Sequence, residues 1–169
     1  MKTGYTRFIV HAAVIAALYA VLTHLQNFLL PGTASMAIQM RISEALCVLA
    51  FFTPAAIPGL SIGCLVFNLT FAGTLPLDFL VGTLATYLAA QGMWLTRNRT
   101  VKGYPLLGML LPALSNAILV GWELSVYIGG GFWLNAVYVA IGEAVVLLVL
   151  GTALYYALKR RSLAEKIFS

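Results

Sequence analysis

The sequence predicts an all-α membrane protein, a compact bundle of six transmembrane helices with both termini in the cytoplasm. Three observations lead to this fold class. Hydrophobic residues make up 62% of the 169 residues and charged residues only 9%, whereas a soluble domain is nearer half apolar and a quarter charged. Apolar runs close to the roughly 20 residues of a membrane-spanning helix follow one another with little sequence between them. The basic residues flank these runs instead of interrupting them.

The predicted helices follow one another along a single domain, residues 1–169. The first covers about residues 8–30 and ends at Pro31-Gly32. The second is short, about residues 39–52, and Thr53-Pro54 separates it from a third that continues to about residue 71, because proline interrupts a helix. The last three cover about residues 78–95, 104–127 and 132–158, with turns at 73–76 and 129–131 and a basic loop between the fourth and fifth helices.

The net charge of +5 indicates membrane topology and not a nucleic-acid partner. Nine of the ten basic residues lie at the ends of apolar runs: Lys2, Arg7, Arg97, Arg99, Lys102, Lys159, Arg160, Arg161 and Lys166. The positive-inside rule assigns these groups to the cytoplasm. The loops at 31–38, 72–77 and 128–131 contain no Lys or Arg and are predicted to face outward.

Motifs for enzymes, metals and nucleotides are missing from the sequence. Cys47 and Cys64 lie in apolar runs with no His or Cys at ligand spacing, so neither a disulfide nor a metal site is predicted. The motifs HExxH, GxSxG and GxxxxGK[ST] do not occur. We therefore expect a protein that is not an enzyme, holds no cofactor and does not bind ATP through a phosphate loop.

Arg41 and Glu44 are the sharpest functional signal in the sequence. They stand three residues apart, a spacing that places both on one face of a helix. Ionisable residues within an apolar helix are costly and commonly functional. The alternative is a structural salt bridge that only joins two helices.

Further polar groups are predicted to converge with this pair in the outer half of the bundle. Asn116, Val120, Glu123 and Tyr127 share one face of the fifth helix. The predicted substrate-binding residues are Arg41, Glu44, Asp78, Asn116, Glu123, Tyr127, Trp133, Asn135, Tyr138 and Glu143. Anchoring at the membrane interface is the alternative for the aromatic members. Excess carboxylate beside aromatic rings suits a flat, nitrogen-rich, cationic ligand, and a proton relay is the competing use of the same acids.

A stripe of small residues on the first helix predicts close helix packing. Ala12, Ala16 and Ala20 recur every four residues, with Ala13 and Ala17 beside them. Small residues at this spacing let another helix approach closely within lipid.

The segment MRISEALCVLAFFTPAAIPGLSIGCLVFNL resembles the QueT family of queuosine-precursor transporters. The alanine stripe before it and the segment LDFLVGTLATYLAA after it extend the resemblance over nearly the whole chain, most specifically at residues 41–46 and 53–63. Members of that family are substrate-binding (S) components of energy-coupling factor (ECF) transporters. The resemblance implies six membrane helices and a complex in the bacterial cytoplasmic membrane with a transmembrane coupling subunit and two ATPases of the ABC type, which bind the ATP.

The resemblance also implies a cargo and a docking surface. The small-residue face of the first helix would dock on the coupling subunit, which assigns Ala12, Ala13, Ala16, Ala17 and Ala20. The cargo would be a 7-deazaguanine such as 7-aminomethyl-7-deazaguanine. Its adjacent ring donors suit one carboxylate, for which we predict Glu143, and its amine suits a second, Glu44 or Glu123. The rival hypotheses are an S component for thiamine and a proton-coupled exporter.

Overall fold

The computed structural model describes residues 2–33, 40–71, 73–160 and 163–168, with side chains from residue 4 onward. These residues form seven α-helices, one 3₁₀ helix and one π-helical turn, and no strand occurs within the described ranges. The α-helices are α1 (Lys2–Leu29), α2 (Ala56–Thr70), α3 (Asp78–Thr96), α4 (Leu106–Tyr127), α5 (Phe132–Val146), α6 (Thr152–Lys159) and α7 (Leu163–Phe168). The 3₁₀ helix covers Ile42–Phe51, and the π turn covers Leu147–Gly151. The predicted all-α fold is confirmed.

The 3₁₀ helix lies at the centre of the bundle. It contacts α1 to α6 and the π turn, and eight of its ten residues are buried. Residues i and i+3 eclipse one another in a 3₁₀ helix, which also rises about 2.0 Å per residue. Ten residues therefore extend about 20 Å. Glu44 and Cys47 lie in line along one edge, directly after Arg41 at the helix N-cap.

The sequence predicts an ordinary helix here, and that prediction is wrong in its type and its start. The regular structure begins at Ile42, with the Glu44 amide donating to the Arg41 carbonyl at 3.0 Å. Arg41 itself is extended, with φ −76° and ψ 109°. Gln39 and most of the predicted outer loop at 31–38 lie outside the described residues.

α1 and α2 approach each other so closely that their backbones nearly touch. A Cβ atom on Gly59 would lie 2.8 Å from the Ala12 carbonyl oxygen, and one on Gly63 would lie 2.7 Å from the Ala16 carbonyl oxygen. Both distances are too short for any larger residue. The two glycines of α2 and the alanines of α1 are therefore the two sides of one helix contact.

This contact corrects the prediction that the whole alanine stripe faces a partner. Ala12 and Ala20 are 8% exposed and Ala16 is half-buried, so the AxxxA spacing serves packing inside the molecule. Ala13 and Ala17 are exposed. Docking on a coupling subunit stays a prediction, and it now depends on the exposed residues Ala13 and Ala17.

Within the described residues, three helical stretches are long and apolar enough to cross a membrane: Gly4–Leu29, Leu106–Tyr127 and the continuous stretch Phe132–Lys159 formed by α5, the π turn and α6. α2 and the 3₁₀ helix are apolar but shorter. α3 has 19 residues but carries Asp78 and Gln91. A multi-pass membrane protein follows from these helices, whereas the count of six spans and the position of the termini stay predictions.

Candidate functional site

Seven of the ten predicted substrate-binding residues are buried. They are Arg41, Glu44, Asp78, Asn116, Glu123, Asn135 and Glu143. All four acids among them are at most 5% exposed. Burying charged side chains without partners costs several kcal/mol, which indicates that these groups have a joint role.

Arg41 is the cation that the four acids share. Its guanidinium interacts electrostatically with Glu44 and Asp78, and it also acts on Glu123 and Glu143. The same group lies over the Phe67 ring, 5.8 Å from the centroid. The positive charge of one buried guanidinium therefore acts on carboxyl groups of the 3₁₀ helix, α3, α4 and α5.

Glu44 is held within the protein through both of its oxygens. The Tyr19 hydroxyl on α1 donates to Oε1, and the Cys47 thiol one 3₁₀ turn further on lies 3.1 Å from Oε2. Tyr19 and Cys47 are completely buried. Glu44 is therefore fixed in place by α1 and by its own helix, and its oxygens already have donors.

Glu143 is the deep carboxylate of α5. It lies eight residues beyond Asn135, about 12 Å along the helix, and it precedes the π turn, whose first amide, that of Leu147, bonds to the Ala144 and Glu143 carbonyls. α5 packs against the 3₁₀ helix that carries Glu44. The Oε2 atom of Glu143 is buried and has no donor.

Asp78 and Glu123 form a second acidic pair, on α3 and α4. The Asp78 carboxylate accepts a bond of 2.7 Å from the Leu75 amide, which closes the turn before α3. The Ser115 hydroxyl of α4 donates to the Ala85 carbonyl of α3 at 2.8 Å, and Asp78 and Glu123 lie seven and eight residues from this bond, toward the same end of the two antiparallel helices. Both Glu123 oxygens are buried and without a donor. Adjacent buried carboxylates repel each other, and a cation placed between them would relieve both.

The two buried asparagines occupy different places. Asn135 caps the connection between α4 and α5: its Nδ2 donates to the Gly129 carbonyl at 2.7 Å and to that of Gly131 at 3.1 Å. Both glycines have positive φ angles near 80–90°, which favour glycine. Asn116 lies seven residues before Glu123, about 10 Å along α4.

The predicted aromatic residues are more exposed than the charged groups of the site. Trp133 is 79% exposed and Tyr127 is 43% exposed, while Tyr138 is half-buried. Exposed Trp and Tyr at helix ends are typical of the membrane interface. The aromatic rings closest to the charged groups are instead Phe67 and Tyr19, both fully buried.

Several buried polar residues beside the charged groups are not evident from the sequence. Thr23 on α1 donates to Ser43 at 2.6 Å, and Gln26 accepts from the Ile42 amide at 2.8 Å. Asn68 on α2 donates to the Asp78 carbonyl at 2.7 Å. The available signal was an isolated polar residue on an apolar helix face, and the sequence does not show which of these faces turn inward.

The arrangement is rich in acceptors. Among the described residues, the buried polar atoms without a partner include both oxygens of Glu123, Oε2 of Glu143 and Oδ1 of Asn68. All of these atoms accept hydrogen bonds when the acids are ionised. A ligand that satisfies them must supply several N–H donors and positive charge.

An apolar helical bundle that buries ionisable groups among its helices is typical of a multi-pass membrane transport protein. The model of the family described as QueT transporter matches residues 9–160. Because the match covers nearly the whole chain, the protein belongs to the QueT transporter family, a family of transporters and not of enzymes. No solved structure matches this chain.

One relative is similar to part of the chain. The queuosine precursor transporter QueT of Lactococcus lactis subsp. cremoris (strain MG1363) is 38% identical over 89 residues. These residues are 51% of this chain and 48% of the relative, so the chain matches about half the length of that protein.

Proposed function

We propose that this protein is the substrate-binding component of an ECF-type importer for a queuosine precursor, a 7-deazaguanine such as 7-aminomethyl-7-deazaguanine. The observation that carries the proposal is the set of buried acceptor oxygens without donors on Glu123 and Glu143. Family membership and the name of the Lactococcus relative support the cargo class.

The chemistry of the cargo matches the chemistry of the site. A deazaguanine presents a ring N–H and an exocyclic NH₂ side by side, and one carboxylate accepts both. Its aminomethyl group is a cation at neutral pH and suits a second carboxylate. Its carbonyl oxygen suits a donor such as Arg41, and its flat ring suits the buried Phe67 ring that lies against that guanidinium.

The hydrogen bonds divide the acids between structure and ligand. Glu44 has a donor on each oxygen, Tyr19 and Cys47, so it serves to position Arg41 and the 3₁₀ helix. Glu143 keeps a free acceptor and is assigned to the ring donors. Glu123, with two free acceptors beside Asp78, is assigned to the amine in preference to Glu44.

Energy for uptake comes from partner subunits in this proposal. The sequence contains no phosphate loop, so ATP is bound by two ABC-type ATPases that act through a transmembrane coupling subunit. The protein lies in the bacterial cytoplasmic membrane with six spans and both termini inside. The α1 surface that carries Ala13 and Ala17 faces the coupling subunit.

A binding panel on the purified protein tests the proposed cargo. Titration calorimetry in detergent would compare 7-aminomethyl-7-deazaguanine with guanine and with thiamine, which is also cationic and aromatic. We expect the deazaguanine to bind at least about a hundredfold more tightly than thiamine, a difference of about 2.7 kcal/mol. Tighter binding of thiamine, or no binding of the deazaguanine, would contradict the proposal.

A further inference from the structure

Asn68 brings a third helix to the acidic pair of Asp78 and Glu123. It lies on α2, is 5% exposed, and donates from Nδ2 to the Asp78 carbonyl at 2.7 Å. The other end of the same amide, Oδ1, is buried and has no donor. The unpaired amide oxygen therefore belongs to a side chain that contacts the backbone of Asp78, and both oxygens of Glu123, the other acid of the pair, are also unpaired.

The orientation of this amide is fixed by its neighbours. A Cβ atom on Gly82 would lie 2.9 Å from the Asn68 Nδ2 atom, so the amide rests directly on the glycine surface of α3. The Cys64 sulfur lies 3.5 Å from Nδ2 on the other side. Because Nδ2 is engaged by the Asp78 carbonyl, Oδ1 is the end of the amide that is available to a ligand.

We propose that Asn68, Asp78 and Glu123 form a cation subsite for a primary ammonium group, and that Asn68 makes the site selective for a substrate that carries one. The inference rests on the proposed function and deepens it. A primary ammonium has three N–H donors, and the subsite offers it three acceptors, two on Glu123 and one on Asn68.

The cation subsite is distinct from the other part of the proposed binding site, the Glu143 pole, where Glu143 is assigned to the ring donors of the ligand. Glu123, Asp78 and Asn68 lie on α4, α3 and α2, whereas Glu143 lies on α5, which packs against the 3₁₀ helix. A ligand with the same ring but no ammonium group uses the Glu143 pole alone. The two poles can therefore be tested separately with two ligands that differ only at the 7-substituent.

The test compares 7-aminomethyl-7-deazaguanine with its uncharged nitrile analogue, 7-cyano-7-deazaguanine. Calorimetry would measure both affinities for the wild type, Asn68→Leu and Gly82→Ala, whose added methyl group displaces the Asn68 amide. We expect both variants to lose about tenfold or more in affinity for the aminomethyl ligand, since the lost contact is a hydrogen bond to a charged group. Their affinity for the nitrile should stay within about threefold of the wild type.

Gly92→Ala is the matched control. It lies on the same helix, and its Cβ would meet a Leu111 methyl group at the same distance of 2.9 Å, away from the acidic pair. The control should leave the ratio of the two affinities unchanged. If Asn68→Leu and Gly82→Ala weaken both ligands equally, the inference is overturned although the proposed function stands. If the wild type binds neither ligand, both are overturned.

Discussion

The Tyr19 hydroxyl group donates a hydrogen bond to Oε1 of Glu44, joining α1 to the central 3₁₀ helix across 25 positions of sequence. Both residues are buried, and the Cys47 thiol donates a hydrogen bond to the other oxygen of the same carboxylate. This bond holds Glu44 in place, and Glu44 lies three residues after Arg41, the cation of the site. The local geometry of the site therefore depends on a hydroxyl group of the first helix.

Tyr19→Phe should destabilise the protein. The substitution leaves a buried carboxylate oxygen without one of its donors, which costs about 1–3 kcal/mol. Thermal unfolding in detergent would show a clear fall in the midpoint. Tyr5→Phe is the control, because Tyr5 is 71% exposed, and its midpoint should match that of the wild type. An unchanged midpoint for Tyr19→Phe would show that the bond contributes nothing to stability.

Gly63→Ala should loosen the contact between α1 and α2. The new methyl group would lie 2.7 Å from both the Ala16 carbonyl oxygen and the Tyr19 Cβ atom, and such overpacking costs about 1–3 kcal/mol. Gly4→Ala, where a Cβ meets nothing within 4 Å, is the matched control and should not lower the unfolding midpoint. Equal midpoints for the two variants would argue against the close helix approach.

Replacing an alanine of α1 with a larger residue should have different effects at exposed and at buried positions. Ala17→Leu places bulk on the surface and should leave ligand binding intact while abolishing uptake in cells, because it blocks a partner helix. Ala12→Leu places bulk in the α1–α2 contact and should lower stability first. Normal uptake by Ala17→Leu would remove this surface as the docking site.

The membrane topology predicts opposite labelling of two loops. A cysteine at Ile128, which is 59% exposed after α4, should react with an impermeant thiol reagent added outside intact cells. A cysteine at Asn98, in the basic loop, should react only after the membrane is opened. The native Cys47 and Cys64 are fully buried, so we expect them to contribute little background labelling. Labelling of both positions from outside would refute the six-span arrangement.

The general fold was accessible from the sequence, but its central element was not. The boundaries of α3 and α4 and the end of α1 follow from apolar runs and turn residues, which act locally, whereas α1 begins at Lys2, before the predicted start at about residue 8. The 3₁₀ geometry of Ile42–Phe51 does not follow from such local signals, and the contacts of this segment with six α-helices are likewise not evident from its apolar sequence. The role of the alanine stripe likewise depends on Gly59 and Gly63, far away in the sequence.

The charged members of the site were predictable, and their partners were not. An acid in an apolar helix is conspicuous, so the sequence predicts that Glu123 and Glu143 belong to the site, and the structure shows that both are buried. Tyr19 and Asn68 are ordinary residues whose importance comes only from what they contact. Trp133 was assigned to the site from its chemistry, yet it faces outward at 79% exposure, since sequence spacing does not show which way a helix is rotated.

The affinity of Glu143→Gln for 7-aminomethyl-7-deazaguanine tests the proposed binding site most directly. The substitution keeps the shape of the side chain but replaces an acceptor oxygen with an NH₂ group that faces the donors of the ligand. A hydrogen bond to a charged group is worth about 1.5–3 kcal/mol, so calorimetry should show an affinity loss of tenfold to about a hundredfold. An affinity within about threefold of the wild type would contradict the assignment of Glu143 to the binding site.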